Sequence, residues 1–177
     1  MIRPLEKKDA EQVANLLNNF LPFQPETEQT ILNAKGIQLV YEHEQEIVGY
    51  IAGIVLHDSY AEMPYYEALL QPLHETAKKE VTYYTTHLVV HPTMRGQGVG
   101  NQLVNTYLKA VKQVATFLIV VGWVQSDVNR WTAEKLFVQA GLTPFVYIPR
   151  YFEPYNVYCP NCQGTCYCDA HIHIMHL

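Results

Sequence analysis

Residues 95–100 read Arg-Gly-Gln-Gly-Val-Gly, a stretch that we call the glycine turn. Apolar residues at helical spacing follow from Val99 onward, so the turn leads into a helix. Glycine lets the backbone turn tightly and approach a ligand without an intervening Cβ. The first N–H groups of a helix are unpaired donors at the positive end of its dipole. The glycine turn therefore predicts an anion site built from backbone, to which Arg95 can add a charge-assisted contact; a plain tight connection is the alternative.

Two common phosphate-binding motifs do not match this spacing. The glycines lack the G-x-G-x-x-G order of a dinucleotide-binding fold, and no acidic residue stands about 20 positions further on. The Lys-Ser/Thr pair of the phosphate loop is also missing. The anion site therefore belongs to another class.

A second chemical pattern is the cysteine content, which is confined to the last nineteen residues of the sequence. The four cysteines are Cys159, Cys162, Cys166 and Cys168. A Cys-Pro-x-Cys knuckle can present two thiolates to zinc, and the other cysteines, or one of them with His171 or His173, can complete a tetrahedron. A structural zinc site is predicted, with a free-thiol tail and a redox-active dithiol as alternatives. Alternation around His171 and His173 is also typical of a strand with one polar face.

The composition bounds the protein class. With 177 residues, 49% hydrophobic and 16% charged, the chain is long enough for one domain with a sizeable core. A net charge of −5 argues against nucleic acid and anionic membranes as partners. The N-terminus lacks the pattern of a secretory signal and no apolar stretch reaches membrane-spanning length, so a cytoplasmic location is expected. In that reducing compartment, clustered cysteines favour metal over disulfides.

The periodicity predicts alternating strands and helices around these residues. Strands are expected at residues 2–5, 37–41, 47–56, 82–90, 117–124 and 145–148. Helices are expected after an N-cap at Asp9, then over about 26–34, 99–114 and 129–140, the last closed by Gly141. Residues 58–80 are predicted as an irregular or partly helical excursion.

The strand, turn and helix of residues 87–104 resemble the acetyl-CoA-binding motif of the GNAT (GCN5-related N-acetyltransferase) superfamily. That motif is R/Q-x-x-G-x-G/A after a strand ending in V-x-P. Here it is matched by Val90, Pro92, Arg95, Gly98 and Gly100. A later N-x-x-A-x-x-L-F/Y-x-x-x-G-F segment of the family is resembled by Asn129, Ala133, Leu136, Phe137, Gly141 and Leu142, with one more residue between Asn129 and Ala133 and with leucine in place of the last phenylalanine. The resemblance covers about residues 1–150 and implies an α/β fold with a mixed, mostly antiparallel central sheet flanked by helices. We expect a GNAT domain over 1–154 and a Cys/His-rich appendage over 155–177.

The resemblance also implies how acetyl-CoA binds. Backbone amides of the glycine turn would hold the diphosphate, the pantetheine arm would lie along the strand before it, and the acyl group would sit where this strand splays from strand 117–124. Val90 N–H would stabilise the oxyanion formed on attack. The implied coenzyme-binding residues are Leu88, Val90, Arg95, Gly96, Gln97, Gly98, Val99, Gly100 and Asn129.

The acid and base of the transfer are less determined by the sequence. The family often has a tyrosine acid at the position of Phe137, which cannot donate a proton. Substitutes, or aromatic packing residues, are Tyr83, Tyr84, Tyr147, Tyr151 and Tyr155. His87 is the favoured base over His91 because it lies deeper in the strand, and a water chain is the alternative.

The function implied by this resemblance is transfer of an acetyl group from acetyl-CoA to a primary amine of a small molecule or peptide, by direct attack in a ternary complex. The acceptor pocket is expected around residues 60–73 and 147–158, where Glu62, Glu67 and Glu153 can attract a cationic amine. A non-catalytic acyl-CoA sensor and a metal-binding interaction module are the alternatives. A homodimer is left open.

Overall fold

A computed structural model of the chain describes residues 1–21, 25–56, 81–126, 128–159 and 161–177. They form two compact units: unit one has residues Met1–Ile54 and Thr85–Gln113, and unit two has Val55–Tyr84 and Val114–Leu177. The excursion predicted over 58–80 lies outside the described residues. Within the described ranges, no helix is long and apolar enough to cross a membrane.

The sheet of unit one consists of neighbouring strands that follow one another along the chain. They are β1 (Ile2–Pro4), β2 (Ile37–His43), β3 (Glu46–Leu56) and β4 (Thr82–Val90). β2 is antiparallel to both β1 and β3, and β4 lies beside β3. β3 runs two residues past the boundary into unit two, and β4 begins there. This places the end of β4, where the glycine turn starts, beside the middle of β3.

Helices cover this sheet and supply its core. They are α1 (Ala10–Phe20), α2 (Glu28–Asn33) and α3 (Val99–Val111). The helix predicted after Asp9 is confirmed as α1, and its Val13 and Leu17 are buried in a cluster with Val89 of β4. α3 packs so close to β3 that a Cβ on Gly49 would come 2.9 Å from Leu103 Cδ1. The helix that follows the glycine turn is therefore fixed against the sheet.

Unit two contains a second set of strands with one short helix between them. In chain order these are β5 (Phe117–Gln125), β6 (Arg130–Trp131), α4 (Glu134–Gln139), β7 (Thr143–Ile148), β8 (Tyr158–Cys159), β9 (Gly164–Thr165) and β10 (Asp169–His176). β10 is antiparallel to β5 on one side and to β7 on the other, and β6 pairs with β5. Ala170 and Ile172 of β10 belong to the core of this unit. The end of the predicted Cys/His appendage thus forms a strand between two others.

Several predicted elements need correction. The helix expected over 129–140 forms only from Glu134 to Gln139, because Arg130–Trp131 pairs with β5 instead. A Cβ on Gly122 of β5 would come 2.1 Å from the Trp131 ring, so the bare backbone of a glycine is what admits that ring. The helix expected over 26–34 is shorter, since Thr27 is its N-cap and accepts a hydrogen bond from the Thr30 N–H. The remaining predicted strands are confirmed close to their expected ranges.

Asp9 is the N-cap residue of α1, as predicted, but its side chain makes no capping hydrogen bond. Its buried carboxylate accepts two hydrogen bonds from Arg3, at 2.6 and 2.9 Å, and one from the Glu6 N–H at 2.8 Å. Arg3 also contacts Glu42 of β2 at 2.7 Å. The guanidinium beside Asp9 holds the pKa of that carboxyl below its usual range. Asp9 thus joins the entrance of α1 to β1 through a buried ion pair.

We expect Asp9→Asn to lower the free energy of unfolding by about 2 kcal/mol at pH 7, because a buried charged pair is broken while Arg3 keeps Glu42. The difference from wild type should be largest above the ordinary carboxyl pKa of about 4, shrink as the pH falls below that value, and vanish once the pH is below the lowered pKa of Asp9. Urea denaturation at several pH values measures both effects. Glu11→Gln, at an exposed position of α1, is the control. Equal destabilisation in the two variants would contradict this account.

Candidate functional site

The glycine turn has the backbone conformation that its glycines permit. A single 3-10 turn, Pro92–Met94, follows β4. Gly96 and Gly98 then have φ values of +76° and +82°, in the left-handed region that side chains with a Cβ disfavour. Gly98 is the residue immediately before α3. These two positions turn the chain from the strand into the helix within a few residues.

The main-chain donors of the turn are not used by the surrounding protein. Within the described residues, no N–H from residue 96 to residue 101 donates to a backbone or side-chain acceptor. The Gly98 carbonyl, by contrast, accepts from the Gln102 N–H at 3.0 Å, so the helix itself is regular from its first turn. A Cβ on Gly96 would meet no atom within 4 Å, which leaves open space beside these donors. This row of amides fits a multiply charged anion such as a diphosphate.

Two side chains hold the turn in place. Arg95 Nε donates to the Val90 carbonyl at 3.0 Å, and Gln97 Nε2 donates to the Thr93 carbonyl at 2.8 Å. The His91 N–H donates to the Val48 carbonyl at 2.8 Å, which joins the end of β4 to β3. The bond from Nε thus holds the Arg95 guanidinium at the turn. Its two terminal nitrogens make no hydrogen bond or ion pair in the described part of the chain. Leu88 is half-buried on β4, as is Val90.

The coenzyme-binding residues predicted from sequence fall in both units. All those between residues 88 and 100 lie on β4, the turn and the start of α3, in unit one. Asn129 lies in unit two, in the connection between β5 and β6, with a φ of +48°. Its N–H donates to the Gln125 carbonyl at 2.7 Å.

His87, the predicted base, is half-buried on β4. Its Nε2 is 3.7 Å from a carboxylate oxygen of Glu26, its Nδ1 is 3.1 Å from Thr86 Oγ1, and its ring lies 6.2 Å from that of Tyr50. Burial lowers the pKa of His87, with a smaller opposing effect of Glu26. The imidazole is therefore neutral at pH 7 and able to accept a proton.

His91, the other histidine of this strand end, has a structural role. Its ring packs edge-on against Phe20 at 5.0 Å, and its Nδ1 is 2.7 Å from Thr93 Oγ1.

The residue at the usual tyrosine position packs in the core. Phe137 is 1% exposed and stacks on Trp131 at 5.3 Å between ring centroids. Among the substitutes, Tyr147 donates to Asp169, and this contact raises its pKa to about 12. Burial raises the pKa of Tyr84 and of Tyr155. A raised pKa makes a phenol a weaker proton donor, so none of these tyrosines is tuned as an acid.

The four cysteines converge, as the sequence predicted. All are free thiols, and their four Sγ atoms lie within 4.8 Å of one another around the β8–β9 hairpin. We call them the cysteine cluster. A tetrahedral zinc with Zn–S bonds of about 2.3 Å places its sulfurs roughly 3.8 Å apart, so the arrangement fits that ion. The cluster does not include His171 or His173, which were predicted as alternative ligands.

The two histidines instead meet Glu134 of α4, which sequence reasoning missed. His171 Nδ1 is 2.8 Å and His173 Nε2 is 3.4 Å from the same oxygen, Glu134 Oε1. We call these three residues the His-Glu cluster. The only sequence signal was the i, i+2 spacing of the histidines, because Glu134 approaches them through the pairing of β10 with β5 and β7.

Comparison with known proteins identifies the family. The model of the acetyltransferase (GNAT) family matches residues 9–137, most of the chain. The chain belongs to the acetyltransferase (GNAT) family. No curated protein matches it by sequence.

Solved structures of this family share the fold at low sequence identity. Arabidopsis thaliana NAA60 in complex with acetyl-CoA has 13% identity and a TM-score of 0.70, and the match covers 100% of this chain and 98% of that one. The structure of yncA from Salmonella typhimurium, a putative acetyltransferase with its cofactor acetyl-CoA, has 13% identity and a TM-score of 0.69. The match covers 100% of this chain and 93% of that one. The ribosomal-protein-S18-alanine N-acetyltransferase from Escherichia coli has 16% identity and a TM-score of 0.67, over 99% and 92%. The predicted GNAT fold, a mostly antiparallel sheet flanked by helices, is thereby confirmed.

Proposed function

We propose that this GNAT protein transfers the acetyl group of acetyl-CoA to a primary amine of a small molecule or peptide, by direct attack in a ternary complex. The observation that supports this most strongly is the row of amides from residue 96 to residue 101, which have no acceptor within the described residues. A diphosphate offers several charged acceptor oxygens to such a row. The family match supports coenzyme A as the source of this diphosphate.

The proposed binding mode uses the turn and the strand before it. Amides of the glycine turn take the diphosphate, and the terminal nitrogens of Arg95 add charge-assisted bonds. The backbone of Leu88 and Val90 pairs with the pantetheine arm as an added strand would.

In the proposed reaction, the amine nitrogen attacks the thioester carbonyl carbon. The C–N bond forms, the C–S bond breaks, and the coenzyme A thiolate leaves. Val90 N–H stabilises the negative charge on the carbonyl oxygen during the attack. His87, neutral at pH 7, accepts the proton that the amine gives up, directly or through water. No tyrosine is assigned as acid, so water returns a proton to the thiolate.

The proposed acceptor is a primary amine, and the proposal does not specify the small molecule or peptide that bears it. One predicted contact for a cationic acceptor, Glu153, is already paired with Arg150 at 2.6 and 2.8 Å. A non-catalytic sensor would bind coenzyme but release no free thiol. Incubation of acetyl-CoA with a panel of amines and peptide N-termini, followed by thiol titration, therefore separates the enzyme from the sensor.

Gly98→Glu should weaken coenzyme A binding roughly 10–100-fold relative to Gly98→Gln, because a carboxylate placed among the amides repels the diphosphate. Both side chains have the same size and the same left-handed backbone cost, and the nearest atom to a Cβ is Gln102 Nε2 at 3.9 Å. Calorimetric titration measures the affinities, and equal thermal midpoints of the two variants control for folding. Equal affinities would refute the diphosphate assignment.

His87→Gln should reduce kcat by about 100-fold or more while leaving coenzyme A affinity unchanged, because a general base is lost. In the wild type, kcat/KM should fall on acidification only below the ordinary histidine pKa of about 6.5, since burial lowers the pKa of His87. The variant should lack this limb. His43→Gln, at an exposed histidine, is the control. A retained acidic limb in the variant would exclude His87 as the base.

We also propose that the cysteine cluster holds a structural zinc. Four free thiols within 4.8 Å of one another, at a two-stranded hairpin, form a closed set of tetrahedral ligands. Zinc bound by these thiols would order a hairpin whose two strands are only two residues long.

The purified protein should contain about one zinc per chain in this cluster, and Cys162→Ser should lose it and lower the thermal midpoint by roughly 6–12 °C, which corresponds to about 3 kcal/mol. Ser126→Ala is the matched control and should keep the zinc, because the Ser126 hydroxyl lies 3.5 Å from Cys162 Sγ but is not one of the four proposed zinc ligands. Elemental analysis and thermal melting report the outcome. A midpoint that a zinc chelator does not move would contradict a structural role.

A further inference from the structure

We propose that Glu134, His171 and His173 form a second metal site, for a first-row divalent cation such as zinc or cobalt, separate from the cysteine cluster. The proposal concerns unit two alone and does not depend on the acetyl transfer. Two imidazoles and one carboxylate are a ligand set that such cations take readily.

The spacing of the three ligand atoms fits one ion. At metal–ligand bonds of about 2.1 Å, neighbouring ligand atoms stand roughly 3–3.4 Å apart. The carboxylate oxygen of Glu134 lies 2.8 Å from His171 Nδ1 and 3.4 Å from His173 Nε2, and all three ligand atoms lie within 4.8 Å of one another. The three ligand atoms are therefore grouped closely enough for one cation to be shared by them.

The state of His173 is a second and independent observation. This side chain is fully buried, at 0% exposure, and neither ring nitrogen has a hydrogen-bond partner among the described residues. Its ring lies between those of Trp131, at 5.1 Å, and His171, at 4.4 Å. A buried ring nitrogen without a hydrogen bond is costly, and a metal–nitrogen bond at Nε2, which now has only the 3.4 Å contact with Glu134 Oε1, would remove that cost.

The fold places the three ligands on rigid elements. His171 and His173 are alternate residues of β10, so their side chains leave the same face of the strand. The opposite face, with Ala170 and Ile172, packs in the core. Glu134 opens α4, one turn after the strand that carries Trp131. A bound ion would therefore join α4 to β10.

Among the residues that the structure describes, the cluster offers three protein ligands. Asp169 precedes His171 by two residues on the same face of β10, but its carboxylate accepts from the Tyr147 hydroxyl and from the Arg150 N–H at 2.7 Å. Three protein ligands leave at least one coordination position for water or an anion. In this respect the site differs from the closed set of four thiolates in the cysteine cluster.

The test is a cobalt titration of the full chain after its cysteine cluster has been loaded with zinc. We expect one further equivalent of cobalt, with weak visible bands and without thiolate-to-cobalt charge transfer in the near ultraviolet. Glu134→Gln and His171→Gln should each weaken binding of this equivalent at least tenfold while the zinc content stays unchanged. Both positions are partly exposed, at 36% and 25% of the side chain, so these variants are expected to fold.

Glu153→Gln and His43→Gln serve as matched controls and should bind the second equivalent as the wild type does. Three results would each overturn the proposal. They are the absence of a second equivalent at millimolar cobalt, undiminished binding in both Glu134→Gln and His171→Gln, and sulfur ligation of the added cobalt. The zinc content of the same samples reports separately on the cysteine cluster, so failure of one site is not mistaken for failure of the other.

Discussion

The N–H groups of residues 96–101 meet no acceptor among the described residues, and the organisation of unit one follows from this. Unpaired backbone donors are tolerated only where water or a ligand can satisfy them. Here they surround the positive end of α3, and left-handed conformations at Gly96 and Gly98 hold them there. The hydrogen bond from Arg95 to the Val90 carbonyl ties the donors to the end of β4. A negatively charged ligand is the partner that this arrangement favours.

The surrounding fold keeps those donors in position. β4 is joined to β3 through the His91 N–H and the Val48 carbonyl, and α3 lies against Gly49 of β3. Strand, turn and helix are therefore fixed to one strand of the sheet. In unit two, strands likewise hold polar side chains in position. β10 brings His171 and His173 to Glu134, and the four thiols meet around the preceding hairpin. The four thiols and the imidazole–carboxylate group form separate clusters.

Local pattern was sufficient for the elements around the glycine turn. The branched apolar run of β4, the glycines after it and the 3.6-residue spacing of α3 each specify their own conformation, so the sequence predicts them with few errors. Local rules failed where a residue of another element competes for the same group. Arg3 takes the carboxylate of Asp9, the N-cap residue of α1. Pairing with β5 draws Arg130–Trp131 out of the predicted helix. Glu134 could not be found because its meeting with the histidines depends on sheet pairing between distant segments. The cysteine cluster was predictable because its four members are neighbours in sequence.

The account rests on the amides of residues 96–101 as the receptor for the diphosphate of coenzyme A. Nitrogen-15 resonance spectra of the labelled protein test this most directly, with coenzyme A added in one titration and pantetheine, which lacks the diphosphate, in another. The account predicts that the amide signals of the glycine turn and of the first residues of α3 shift strongly with coenzyme A and little with pantetheine. Unmoved turn signals at saturating coenzyme A, with shifts confined to other residues, would contradict it.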